Sequence, residues 1–162
     1  MTQESYSGRF GTGQVIAPVS GSSGNERFYV MALENAASGT YQFWSSGGTS
    51  VVTSTDFGTG ESNTAAMKAK SGSSSYLWGI SAVQSGTWNG SGGWYVPSRG
   101  EWAAFADQLD ITTSNYSSKG LSFYYWSSSQ HSTYRAWRAN FLIGGFDYGV
   151  DDDTYVRLGT TF

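Results

Sequence analysis

The sequence predicts an α+β fold, with strands at both ends of the chain and helices between them, the helices packed on antiparallel sheets and joined by long loops. Three observations carry this. "RFYVMAL" (27–33) is apolar at both parities, the pattern of a strand buried on both faces. "VPSRGEWAAFADQL" (96–109) opens with a helix start signal and continues with one apolar stripe. "RAWRANFLI" (135–143) alternates with period two, and no βαβ repeat connects these segments.

In chain order, 1–24 is rich in Gly, Ser and Thr and predicts an extended arm or edge strand of a single domain spanning 1–162. After the 27–33 strand, "YQFW" (41–44) and "SVVTS" (50–54) predict two short strands separated by a turn at Gly47 and Gly48. "FGTGESNTAAMKAK" (57–70) is a Gly-rich turn leading into a helix that Ser62 or Asn63 would cap. "SYLWGISAVQ" (75–84) predicts a further helical piece, and "GTWNGSGG" (86–93) a loop. Ser98 and Glu101 have the S-x-x-E spacing of a capping box, in which each side chain accepts from the other residue's backbone N–H. Trp102, Phe105, Ala106 and Leu109 follow at i, i+3, i+4 and i+7, one face of a helix. Near the end, Trp137, Ala139, Phe141 and Ile143 fall on one face of a strand and Arg138 and Asn140 on the other. A one-residue slip would bury the charge, which specifies the register. "TYVRLGTTF" (154–162) predicts the last strand, with Val156 and Leu158 opposite Tyr155 and Arg157.

Composition excludes several function classes. Three lysines and a net charge of −3 leave no basic footprint for nucleic acid or an anionic membrane surface. No apolar run reaches the length of a membrane span, and "MTQESYSGRF" has no secretory signal pattern. With no cysteine, disulfides, thiolate metal sites and cysteine nucleophiles are ruled out. A single histidine excludes multi-histidine metal centres. Seven Trp and eleven Tyr exceed what a core of this size needs, so some aromatics are expected at the surface as binding anchors.

"GGFDYGVDDDTYVR" (144–157) holds four of the seven aspartates. An acid pair for glycan hydrolysis, Asp147 with one of Asp151, Asp152 and Asp153, would need one carboxyl with a raised pKa. Consecutive aspartates in a Gly-flanked loop are solvated and lack that environment. Calcium could use Asp147, Asp151 and Asp153, but the regular D-x-[DN]-x-[DN]-G loop is absent. His131 lies in the polar run "SSSQHSTYR" with no nucleophile elbow nearby. "GTGESNT" (58–64) lacks the Lys of a phosphate loop, so tight turn and cap explain it better. What remains is a surface that mixes His131, Ser132, Tyr134, Arg135, Arg138, Leu142, Ile143, Tyr148 and the aspartates. Exposed Leu and Ile beside Arg, Tyr and Asp fit a paratope, adaptable groups on a firm scaffold.

"FGTGESNT", "GGWYVPSRGEW" and "YYWSSSQ…AWRANF…YVRL", in that order, resemble the C-type-lectin-like domains of bacterial and phage proteins, and among these the variable proteins of diversity-generating retroelements. The resemblance runs from about Gly11 to the end of the chain. It implies a C-type lectin fold and a non-enzymatic receptor- or ligand-binding function. In that family, adenines in the C-terminal coding segment are mutagenised. The resemblance therefore implies a variable region over about 126–162 and adds Gly145, Gly149 and Tyr155 to the mixed set. Trp and Phe codons contain no adenine, so Trp126, Trp137 and Phe141 would be constant scaffold. It implies no cofactor, a protein or cell-surface partner, and display on a virion, at its tail or surface, or on a cell. Sugar-binding C-type lectins hold calcium through a Glu-Pro-Asn-like loop and a Trp-Asn-Asp segment. Here Val96 precedes Pro97 and "WNG" (88–90) lacks the acid, so calcium-dependent sugar binding is not implied; a fixed-specificity calcium lectin or adhesin is the alternative reading. Related formylglycine-generating enzymes use cysteines, which this chain lacks.

Overall fold

A computed structural model describes residues 4–8, 11–19, 27–44, 49–70, 76–149 and 154–161, with side-chain environments given from Tyr29 onward. The fold is α+β, with two antiparallel sheets. The first has four strands in the order β1–β2–β3–β7, formed by β1 (Glu4–Gly8), β2 (Gly11–Val19), β3 (Arg27–Ala32) and β7 (Gly159–Thr161). The second has three strands in sequential order, β4 (Tyr124–Ser132), β5 (Arg135–Asn140) and β6 (Gly145–Gly149). Between β3 and β4 lie α1 (Gly60–Ala69), a 3-10 turn (Tyr76–Gly79), the short α2 (Ser81–Ser85) and α3 (Arg99–Gln108). The N-terminal stretch expected as an arm or edge strand is a pair of antiparallel strands, with β1 at the sheet edge.

Strand β3 divides the interior, as its two-parity pattern requires. Val30 and Ala32 enter one buried cluster with Phe43, Met67, Leu77, Trp78, Trp126 and Leu158. Tyr29 and Met31 enter the other with Tyr95, Trp102, Phe105, Leu109, Tyr125 and Phe141. The stripe on α3 supplies much of this second cluster, with Trp102, Phe105 and Leu109 all buried. Its capping box is complete: Glu101 N–H donates to Ser98 Oγ at 3.1 Å, and Ser98 N–H donates to Glu101 Oε2 at 2.7 Å. Glu101 is itself fully buried and also accepts from Gly60 N–H at 3.4 Å, which ties the start of α1 to the start of α3. Burial pushes its carboxyl up to about 7, against backbone donors at Ser98 and Gly60 and a hydrogen bond to Tyr29 that favour the charged form. Gly60 has no room for a side chain, since a Cβ there would sit 2.1 Å from Glu101 Oε2.

Several expectations are corrected. Neither 41–44 nor 50–54 forms a strand. Phe43 and Trp44 are buried core residues without a ladder, and the backbone around them bonds at long range: Tyr41 N–H to Thr154 O and Leu77 N–H to Gln42 O. The second segment bonds to side chains, Val51 N–H to Gln130 Oε1 at 2.7 Å and Gln130 N–H to Thr53 Oγ1 at 2.9 Å. The turn expected at Gly47 and Gly48 lies outside the described residues. Helix α1 starts at Gly60 after Thr59, which makes no side-chain cap bond. Asn63 sits inside the helix, buried, and its amide bonds Ser54 through both Oδ1 and Nδ2. The 75–84 piece is a 3-10 turn followed by one short turn of α-helix. Of the expected final strand only Gly159–Thr161 pairs with β3, while Tyr155 bridges in parallel to Tyr125 of β4. Val156 and Leu158 are buried as expected, but Arg157 is buried too, its guanidinium donating to Asn35 and to Gly120 O.

Candidate functional site

The sheet β4–β5–β6 reaches solvent at both of its turns and is held to the core by buried residues between them. Tyr125 and Trp126 anchor it: the Trp126 indole donates to Tyr41 O at 2.6 Å, and Trp102 stacks on Tyr125 at 5.0 Å and donates to Trp126 O. Three serines follow, all fully buried. Ser127 Oγ donates to Trp137 O and Ser129 Oγ to Ser54 O, each at 2.7 Å, while Ser129 Oγ accepts from Arg99 N–H at 3.0 Å. The β4–β5 register shifts across this stretch, between Trp126 and Gln130. The Ser127 hydroxyl reaching β5 and the Ser129 hydroxyl reaching Ser54 replace the regular ladder there, so the strand is held firmly up to the point where it leaves the core.

Beyond Gln130 the side chains turn outward. His131, Ser132, Tyr134 and Arg135 are exposed around the β4–β5 turn. At the β5–β6 turn Leu142 is 53% and Ile143 64% exposed, and Gly144 at φ +68° closes the turn with a backbone that favours glycine. Ile143 therefore departs from the strand face assigned to it by alternation, because β5 ends at Asn140. Tyr148, on β6, is exposed and stacks on His131 with ring centroids 4.0 Å apart and an interplanar angle of 11°. Trp137 is half-buried beneath them, edge-on to His131 at 4.9 Å and to Tyr148 at 5.5 Å. Arg135 places its guanidinium 5.3 Å from the Tyr148 ring.

Ala139 and Phe141 are buried in the second core cluster as expected, but the two faces of β5 otherwise depart from the sequence expectation, and Asn140 is buried as well. Trp137 does not point into the core, and Arg138 is buried. Arg138 Nε donates to Asp147 Oδ1 at 2.6 Å, directly across the β5–β6 pair, and its Nη1 donates to Thr154 Oγ1 at 3.2 Å. The guanidinium lies 4.1 Å from the Tyr124 ring centre, and Asn140 Nδ2 supplies a second donor to Asp147 at 2.8 Å. Both residues were expected in the displayed set. Arg138 is instead an internal strut, and Asp147, half-buried, is its counter-ion. Gly149 is also buried, and a Cβ there would lie 3.3 Å from the Arg138 guanidinium, so a side chain at this position would have to shift Arg138 by a few tenths of an ångström. Gly145 is half-buried, and Tyr155 packs half-buried against the second core cluster. Asp151, Asp152 and Asp153 lie outside the described residues.

Two residues at this face carried no sequence expectation. The Arg99 guanidinium lies 4.6 Å from the Trp137 ring centre and 4.8 Å from that of Phe146. The only signal in the sequence was its position as the first residue of α3, where the helix dipole disfavours a cation. Among the described residues no three His, Asp or Glu side chains come together, and no helix is long and apolar enough to cross a membrane. No protein-family model matches the chain, and no curated protein matches it either.

Proposed function

We propose that this chain is a non-enzymatic ligand-binding protein on a C-type lectin scaffold, displaying a hypervariable C-terminal face diversified by a retroelement acting on adenines. The observation that carries the reading is the composition of the two exposed turn ends of the β4–β6 sheet. His131, Ser132, Tyr134, Arg135 and Tyr148 are exposed at the β4–β5 end, Leu142 and Ile143 at the opposite, β5–β6 end, and they share no chemistry, while Trp126 and Phe141 are buried and immune to adenine substitution. A rigid aromatic base with unrelated polar and apolar groups on its rim suits recognition of a protein or cell-surface target, and suits display on a virion, at its tail or surface, or on a cell. The acid-pair and calcium alternatives both need Asp147, whose two oxygens already accept from Arg138 and Asn140.

The DNA flanking the gene tests this reading. It should contain an imperfect copy of the segment encoding 126–162, with differences confined to adenines of the copy and concentrated in the codons of the exposed positions. A missing copy, or differences spread over all four bases, would refute the retroelement part of the proposal.

A further inference from the structure

Most cations in this fold have an evident partner or lie in open solvent. Arg138 has Asp147, and Arg157 has Asn35 and a carbonyl. Arg99 differs. Its guanidinium rests against Trp137 and Phe146, it makes no ion pair among the described residues, and its Nε–H is buried without an acceptor. Ser129 Oγ holds its backbone N–H, so its base is fixed while its Nε–H is unsatisfied. A buried unmade donor on a charged group costs free energy that an incoming acceptor would recover. The nearby acid Asp147 is already paired with Arg138, and exposed Arg135 adds a second positive charge to the same face. Beside Arg99, and sharing Phe146 with it, a partly open crevice of about 140 Å³ runs between α3 and the β5–β6 turn, lined by Ala103, Ala106, Ile111 and Phe141 and, as its one acid, Asp107. That volume suits a group of about benzene size.

We propose that Arg99 is a fixed anchor for an oxyanion of the ligand, with the adjacent crevice taking an apolar group of the same ligand. This rests on the β4–β6 face being a ligand-binding surface and names the chemistry that face selects. A planar guanidinium stacked on aromatic rings presents its donors in the geometry of a carboxylate or phosphate. Arg99 precedes the segment proposed to vary, and the Trp137 and Phe146 codons contain no adenine, so variants that differ elsewhere on the face would share this anchor.

The probe is 3-phenylpropionate titrated into the full chain, with 3-phenylpropanamide and inorganic phosphate as comparison arms. Nitrogen-15 NMR follows the Arg99 Nε–H, and carbon-13 NMR follows the methyls of Ala103 and Ile111. The acid should shift both sets of signals with one saturating affinity, and the amide should bind about fivefold or more weaker because it lacks the charge-assisted bond. Phosphate should shift Arg99 alone. Arg99→Lys, checked for an unchanged melting temperature, should weaken the acid by a similar factor, since an ammonium lacks the planar fork. Equal binding of acid and amide, or no Arg99 response to any anion, overturns the anchor. Equal binding of phosphate and the acid overturns the role of the crevice. The flanking-DNA test fails or succeeds separately. An Arg99 response without a repeat copy leaves a fixed-specificity anion site, and a copy without an Arg99 response leaves a variable face lacking this anchor.

Discussion

Trp137 and Arg138 are neighbours on one strand and face opposite ways, yet the charge is the buried one and the indole is half in solvent. Arg138 is stable inside because the register sets Asp147 directly opposite, and Asn140, Thr154 and the Tyr124 ring complete its surroundings. A buried ion pair is tolerable only when its hydrogen bonds are completed. Trp137 is stable outside because His131, Tyr148 and Arg99 pack around it. The comparison shows how one strand serves two purposes: one face locks β5 to β6 through Arg138 and Asp147, and on the other Ala139 packs in the core while Trp137 supports exposed side chains that can change without disturbing that lock.

That division can be broken from either side. The heaviest loss should come from the anchor beneath both faces: Trp126→Ala removes a fully buried indole that touches Phe43 and donates to Tyr41 O, and should cost about 4 kcal/mol in urea unfolding. Arg138→Met leaves Asp147 half-buried without its cation and should cost about 3 kcal/mol. Adding Asp147→Leu should recover part of that loss, showing that the penalty belongs to the abandoned charge.

Away from the sheet, Glu101 gives the scaffold a pH signature. Its carboxyl is raised to about 7 in the fold by burial, whereas the unfolded chain ionises in the ordinary carboxylate range. Between those values the native state holds a proton that the unfolded state has released. Its contribution is therefore complete at about pH 4 and is lost as pH rises through about 7. Stability should fall by about 2 kcal/mol from about pH 5 to about pH 8, and Glu101→Gln should remove that slope, as thermal melts across pH would record. The smallest effects belong to the rim: Tyr134→Ser, Leu142→Ser and Ile143→Ser should each change unfolding free energy by no more than about 0.5 kcal/mol.

The parts of the fold that could be read from sequence are those held by short-range rules. The capping box and stripe of α3 depend on spacings of three and four residues, and the two-sided burial of β3 follows from its apolar content at both parities. The segments at 41–44 and 50–54 misled because their hydrogen-bond partners lie far along the chain: Thr154 for Tyr41, and Gln130 for Val51 and Thr53. Asn63 looked like a cap because nothing local reveals that its amide serves Ser54. At the site, the turn tips were legible from exposed apolar residues among polar ones. The burial of Arg138 was not, because Asp147 becomes its partner only once β5 and β6 are in register. Arg99, 38 residues before Trp137 in the sequence, becomes part of this face only through the packing of α3 on the sheet.

The central claim, that the rim varies freely over a scaffold that does not, is tested most directly by two surface-displayed libraries scored for protease resistance. One randomises His131, Ser132, Tyr134, Arg135, Leu142, Ile143 and Tyr148 together. The other randomises an equal number of scaffold positions, Trp126, Ser127, Ser129, Arg138, Ala139, Asn140 and Phe141. Most members of the rim library should stay resistant while nearly all of the scaffold library is cleaved, since cleavage reports the population of opened chains. Comparable losses in the two libraries would contradict the account.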